Sequence, residues 1–158
     1  MTLSEFFAIC NPNFQKRKRH PNKPPLDSTM PEHQIRLRVA WDRLDDSDDP
    51  PRRVDLPTVW TVWTVSDPAR PFRLLRKFGR PTFDPGAVAV ALELLDVPGL
   101  VAVRLNGQSL EVKDRIAVDG ILQARNLLEL DVDLSEAGRI EPGSAWGSIA
   151  LVIADRSG

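Results

Sequence analysis

The sequence predicts an all-β fold, an antiparallel β-sandwich or jelly roll of about eight short strands. Three observations carry that expectation. Apolar and polar residues alternate with a period of two in segment after segment from Ile35 onward. Turn residues, above all Asn106-Gly107, separate these segments. No patterned stretch carries the apolar repeat of a long amphipathic helix, and the prolines fall largely at the start of the chain and between segments, where a sheet tolerates them.

Ile35, Leu37, Val39 and Trp41 alternate with polar or small residues and predict one strand with a single buried face. The acidic run after Leu44 breaks it as a loop. VDLPTVWTVWTV follows, then FRLLRKF, in which Phe72, Leu74 and Phe78 share a face with Arg76 between them. Residues 87–95 place Val88, Val90, Leu92 and Leu94 on one side and three alanines with Glu93 on the other, the pattern of a strand covered on both faces. In LVAVRL, Val101, Val103 and Leu105 point inward. Asn106-Gly107 then supplies the two positive-φ residues of a type I′ hairpin turn, and SLEV returns. IAVDGILQARN holds a strand fragment and one helical turn capped by Asp119. LLELDVDL alternates again, with Leu128, Leu130, Val132 and Leu134 inward, and GSIALVIAD is the last strand.

The 158 residues suffice for one domain. Charged residues at 27% and hydrophobic ones at 42% are ordinary for a globular protein and exclude a disordered or membrane-embedded chain. Residues 1–31 read as a Pro-rich tail with a basic block, and residues 32–158 as the sandwich. Met30 stands where the patterned sequence begins and is an alternative translation start. Lys16, Arg17, Lys18, Arg19 and Lys23 outnumber Glu5 and Asp27 in the tail, so with a net charge of −1 the body is acidic. That argues against nucleic acid as a partner. No apolar run reaches the roughly 18 residues of a membrane span. The single Cys10 and the lack of a secretory charge pattern fit a reducing cytoplasm.

No catalytic constellation emerges. His20, His33 and Cys10 lie in or beside the tail, away from a scaffold that could orient them. Glu129, Asp131 and Asp133 share one strand face and read as a solvated stripe rather than an acid–base pair. Asp45, Asp46, Asp48 and Asp49 could offer oxygens to calcium, but they lack the spaced ligands of a calcium loop, and a solvated loop is the better reading. No other cofactor is expected.

The tryptophans carry the remaining functional signal, since exposed aromatic faces stack on sugars. Trp41 extends an inward row and belongs to the core. Trp60 and Trp63 are an odd number of residues apart and point to opposite faces. Parity leaves open which of the two is buried; Pro57 and the family resemblance given below favour Trp60 as the packed one, which leaves Trp63 as the candidate ligand contact. Trp146, in the loop EPGSAWGS, is the second candidate contact.

The order of landmarks resembles the N-terminal domain of glycoside hydrolase family 2 enzymes. Pro57 and Trp60 in LPTVW, Arg76, Phe78 and Pro81 in RKFGRP, Asn106 and Gly107 in VAVRLNGQSL, and Asn126 and Leu128 in ARNLLELDV follow that domain's pattern over about residues 35–154. The resemblance implies a galactose-binding-like jelly roll in which Trp60, Arg76, Asn106, Gly107 and Asn126 are structural, beside the Trp41 already placed in the core by its alternation. The family's barrel and its catalytic glutamates have no counterpart here. A non-catalytic binding or assembly module contacting a protein partner is thus the first expectation. A carbohydrate-binding module using Trp63 or Trp146 is the second, and a small hydrolase a distant third.

Overall fold

The computed structural model describes residues 32–45, 50–59, 70–84, 86–137, 141 and 143–156. The tail 1–31, Asp46, Asp48, Asp49, Trp60 and Trp63 lie outside the described residues. The elements are short strands: β1 (His33–Arg36), β2 (Trp41–Leu44), β3 (Arg52–Val54), β4 (Thr58–Val59), β5 (Phe72–Gly79), β6 (Val88–Leu95), β7 (Leu100–Leu105), β8 (Gln108–Leu110), β9 (Arg115–Ala117), β10 (Arg125–Val132), β11 (Ala145–Trp146) and β12 (Ser148–Asp155). Among the described residues, one 3₁₀ turn spans Leu134–Glu136. The strands form a four-stranded sheet ordered β1-β12-β6-β9, a six-stranded sheet ordered β3-β2-β5-β10-β7-β8, and the small pair β11-β4, every pairing antiparallel. This is the expected β-sandwich, cut into more and shorter strands than the alternation alone implies.

The core lies between the two large sheets. Trp41, Leu74, Val103, Leu105, Leu128, Leu130 and Val132 from the six-stranded sheet pack with Val90, Leu92, Leu94, Ile149 and Leu151 from the four-stranded one. Each fully buried Leu or Val contributes about 1.5–3 kcal/mol relative to exposure, which is why strict alternation selects one face of each strand.

Five local expectations give way to the tertiary structure. The predicted strand from Ile35 to Trp41 is two strands in different sheets. They meet at Ala40, whose φ of 63° turns the chain from one sheet to the other. Its N–H donates to Asp55 Oδ1 at 3.2 Å, while its carbonyl accepts from Arg53 Nη1 at 3.1 Å and Arg76 Nη1 at 3.3 Å. Val101 is 49% exposed instead of inward. Val132 pairs with Leu100 while Asp131 pairs with Ala102, so Val101 is the extra residue of a β-bulge and leaves the alternation. The outer side of β6 is not covered along its length, since Ala89 and Leu95 are exposed. Asp119 caps nothing; its carboxylate pairs with Arg156, while the Val118 carbonyl closes the turn by accepting from Ile121 and Leu122. Leu134 leaves the predicted strand, because Asp133 caps the 3₁₀ turn by accepting from Ser135 N.

Candidate functional site

A cleft of about 770 Å³ opens at the end of the six-stranded sheet. It lies where β5 ends and β10 begins, beside the turn that joins β7 to β8. Lys77, Phe78, Gly79, Asn106 and the run from Gln123 to Leu127 line it. In the register, Arg125 faces Gly79, Asn126 faces Phe78 and Leu127 faces Lys77. Asn126 shares the inward parity of Leu128 and Leu130 and is buried, whereas Lys77, Gly79, Arg125 and Leu127 have the outward parity. Lys77 and Arg125 are therefore diagonal neighbours, about 7–8 Å apart along the sheet. Gly79 gives the spot opposite Arg125 no side chain, and a Cβ built there meets only the Ala124 carbonyl, at 4.0 Å.

Two asparagines build the cleft wall from beneath. Asn106 Nδ2 donates to the Ile121 carbonyl and to Asn126 Oδ1, both at 3.0 Å, while Asn106 Oδ1 accepts from Leu127 N at 3.0 Å. Asn126 Oδ1 also accepts from Gln123 N, and its Nδ2 donates to Gln123 O, each at 2.8 Å. Asn106 has a φ of 54° and Gly107 one of 80°, the positive pair that the type I′ turn requires. Both amides are spent inside the protein, so the two asparagines hold the strand ends together and offer little to a ligand.

The outer face of the same sheet is different farther along. Arg73 Nε and Arg104 Nη2 each lie 2.6 Å from an oxygen of Asp131, and Glu129 completes the lattice at 3.8 and 3.9 Å from the same two arginines. The acidic stripe read from the sequence is thus half of a cross-strand ion network spanning β5, β10 and β7. Burial works to raise the Asp131 carboxyl, but hydrogen bonds and charge from Arg73 and Arg104 outweigh it and hold the group below the usual aspartate range. Glu129 is also a diagonal neighbour of Lys77 in this register, but the arginines it approaches are Arg73 and Arg104. Neither Lys77 nor Arg125 has an ion-pair partner among the described residues, and the cleft lining contains no Asp or Glu.

Trp146 does not offer a sugar platform. It is 1% exposed, its Nε1 donates to the Pro98 carbonyl at 2.8 Å, and β11 fastens it to β4. The period-two pattern gave no sign of this, because a two-residue strand has no pattern to read. Trp41 is fully buried, with its Nε1 on the Leu37 carbonyl at 2.7 Å. The other candidate contact, Trp63, lies outside the described residues, as does Trp60.

Of the four candidate calcium ligands only Asp45 is described, and its two oxygens are taken by Arg43 and Arg52. Burial tends to raise its carboxyl, yet the two guanidinium groups hold it below the usual range. Arg43 itself is buried on the inward face, 4.1 Å above the Phe72 ring. Arg76 bonds the Ala40 carbonyl, and its Nε is buried without a hydrogen-bond partner. No group of three or more possible metal ligands occurs among the described residues.

Lys77, Gly79, Gln123 and Arg125 were not singled out from the sequence. Parity alone places Lys77 and Gly79 on the outer side of β5. Only the register with β10 brings Arg125 beside them.

The same sandwich occurs in solved glycosidases. A β-glucuronidase of an uncultured Clostridium species superposes with a TM-score of 0.60 at 16% identity, over 82% of this chain and 30% of that one. A putative β-galactosidase from Bacteroides fragilis gives 0.57 at 14% identity, over 77% of this chain and 23% of that one. A β-D-mannosidase from Dictyoglomus thermophilum gives 0.52 at 14% identity, over 65% and 16%. The chain has the fold of one β-sandwich domain of such enzymes. This agrees with the resemblance of its motifs to the N-terminal domain of glycoside hydrolase family 2. The chain spans less than a third of the length of each of these enzymes. No family model and no curated protein matches its sequence. No helix among the described residues is long and apolar enough to cross a membrane.

Proposed function

We propose that the chain is a non-catalytic carbohydrate-binding module whose ligand lies in the cleft at the junction of β5 and β10. One observation carries this reading: a cleft of about 770 Å³ with a rigid, internally bonded wall and free side chains only at its rim. A preformed site of this size falls in the range of small-ligand pockets. Occurrence of the fold in glycosidases supports a carbohydrate-related role.

The test is retardation of the folded protein in native gels containing a panel of neutral and acidic polysaccharides. Gly79→Val places a branched side chain in the cleft on extended backbone, where valine is at home. Retardation by at least one polysaccharide, lost in Gly79→Val at an unchanged unfolding midpoint, is the expected result. No retardation by any member, or retardation that survives the plugged cleft, would overturn the reading.

Assembly with a protein partner is the second reading. It is favoured by the outer side of β6, where Ala89 and Leu95 are exposed, Leu95 at 41%.

A further inference from the structure

We infer that the ligand of this cleft is an acidic saccharide, its carboxylate or sulfate group held between Lys77 and Arg125. The inference rests on the carbohydrate reading above and names the class of sugar.

Most arginines of the sandwich are paired with acids, and of the described cations that are not, among them Arg36, Arg38, Arg76 and Arg80, only Lys77 and Arg125 line the cleft. Arg73 and Arg104 share Asp131 and Glu129, Arg43 and Arg52 share Asp45, Arg115 pairs with Glu32, and Arg156 with Asp119. The outward residues of β10 run Arg125, Leu127, Glu129, Asp131; Glu129, diagonal to Lys77, lies against Arg73 and Arg104, and Asp131 is bonded to the same two arginines. At the cleft end, Arg125 faces Gly79 and Lys77 faces Leu127, and neither cation meets a carboxylate. Their positive potential is cancelled by nothing in the lining.

The hydrogen-bonding inventory points the same way. Neutral sugars are held by side chains that both donate to and accept from hydroxyl groups, or by exposed aromatic rings. Here the carboxamides of Asn106 and Asn126 are consumed by Ile121, Gln123, Leu127 and each other. Phe78 is half-buried, which leaves Gln123 as the neutral polar side chain free to act. Recognition therefore falls to the two cations. A guanidinium fork presents paired N–H donors to the oxygens of a planar carboxylate or a sulfate, and an ammonium adds a point charge beside it. The bare Gly79 leaves room for the sugar ring next to Arg125.

The experiment compares retardation by polygalacturonate, its methyl ester, dextran sulfate and dextran, using the full chain. Polygalacturonate or dextran sulfate, or both, should retard the protein, while the uncharged methyl ester and dextran should not. Lys77→Gln/Arg125→Gln should weaken that binding by tenfold or more, given the strength of charge-assisted hydrogen bonds. The charge-keeping Lys77→Arg should retain it. Gly79→Val leaves every charge in place and should abolish it, which separates cleft binding from diffuse attraction to a polyanion. Equal retardation by dextran and the methyl ester would overturn the acidic-ligand inference while leaving the carbohydrate reading intact. Acidic binding that survives either the Gln pair or Gly79→Val would overturn the site. Binding to none of the four, where a neutral glycan from the wider panel is bound, would overturn the inference alone; failure of the whole panel would overturn both.

Discussion

Asn106 and Asn126 touch through their side chains, Nδ2 of the first donating to Oδ1 of the second at 3.0 Å. The contact joins the hairpin turn after β7 to the first residues of β10, which are 20 positions apart in sequence. It also gives the cleft its fixed wall. Asn126 is buried, so removing either amide strands polar groups that water reaches poorly.

A double-mutant cycle should therefore show strong coupling. Asn126→Ala leaves the Gln123 N–H and C=O and one Asn106 N–H without their partner, at about 1–3 kcal/mol for each group left buried and unpaired. Asn106→Ala strips the Leu127 N–H and the Ile121 carbonyl in the same way. The double variant should fall short of the sum of the singles by about 0.5–3 kcal/mol in urea unfolding. Strict additivity would show that the two amides act independently.

Trp146 should behave as a core residue. Trp146→Ala is expected to cost about 3–5 kcal/mol, through the cavity and the lost hydrogen bond to Pro98. Trp146→Phe keeps much of the volume and gives up the N–H, so it should cost markedly less. Acrylamide quenching of a protein retaining only this tryptophan should be weak. Efficient quenching, or an unchanged midpoint for Trp146→Ala, would return the ring to the surface.

Acid should destabilise the domain through Asp45 and Asp131. Both carboxyls sit below their usual range in the folded state because paired arginines outweigh the cost of burial. A depressed carboxyl stabilises the fold above the unfolded value of about 3.9 and loses that contribution as pH falls through the folded value. The thermal midpoint should thus fall as pH drops below about 4. Asp131→Asn should be less stable than the parent at pH 7, by about 1 kcal/mol or less for pairs this open to solvent, and should lose less on acidification. Parallel pH profiles for the two proteins would exclude Asp131 as a source of the acid sensitivity.

The strands β5, β6 and β10 were legible because each is a long run of alternation with one mainly apolar face, and Asn106-Gly107 because its turn type is a property of the two residues themselves. Val101 was not, although it alternates correctly with Val103 and Leu105. The bulge that expels it exists only where β7 meets β10. Ile35 to Trp41 looked continuous for a related reason: Ile35 and Leu37 before the crossing at Ala40 and Trp41 after it all pack against the core, although Val39, at the crossing itself, is 56% exposed rather than inward. The cleft was invisible in the one-dimensional pattern, since Lys77 and Arg125 are 48 positions apart and meet through the register of β10 with β5.

By itself, then, the sequence determined that this protein is a β-sandwich, which strand faces form most of its core, and where its tightest hairpin turns. These follow from the period-two geometry of a strand and the φ preferences of single residues, both local. Only the tertiary structure decided that Trp146 is packed, that the acids of β10 are matched by Arg73 and Arg104, and that Lys77 and Arg125 are left unmatched beside an open cleft. Those outcomes depend on which strand lies beside which and in what register. That is settled by burial and hydrogen bonding summed across distant segments, and no single segment encodes it.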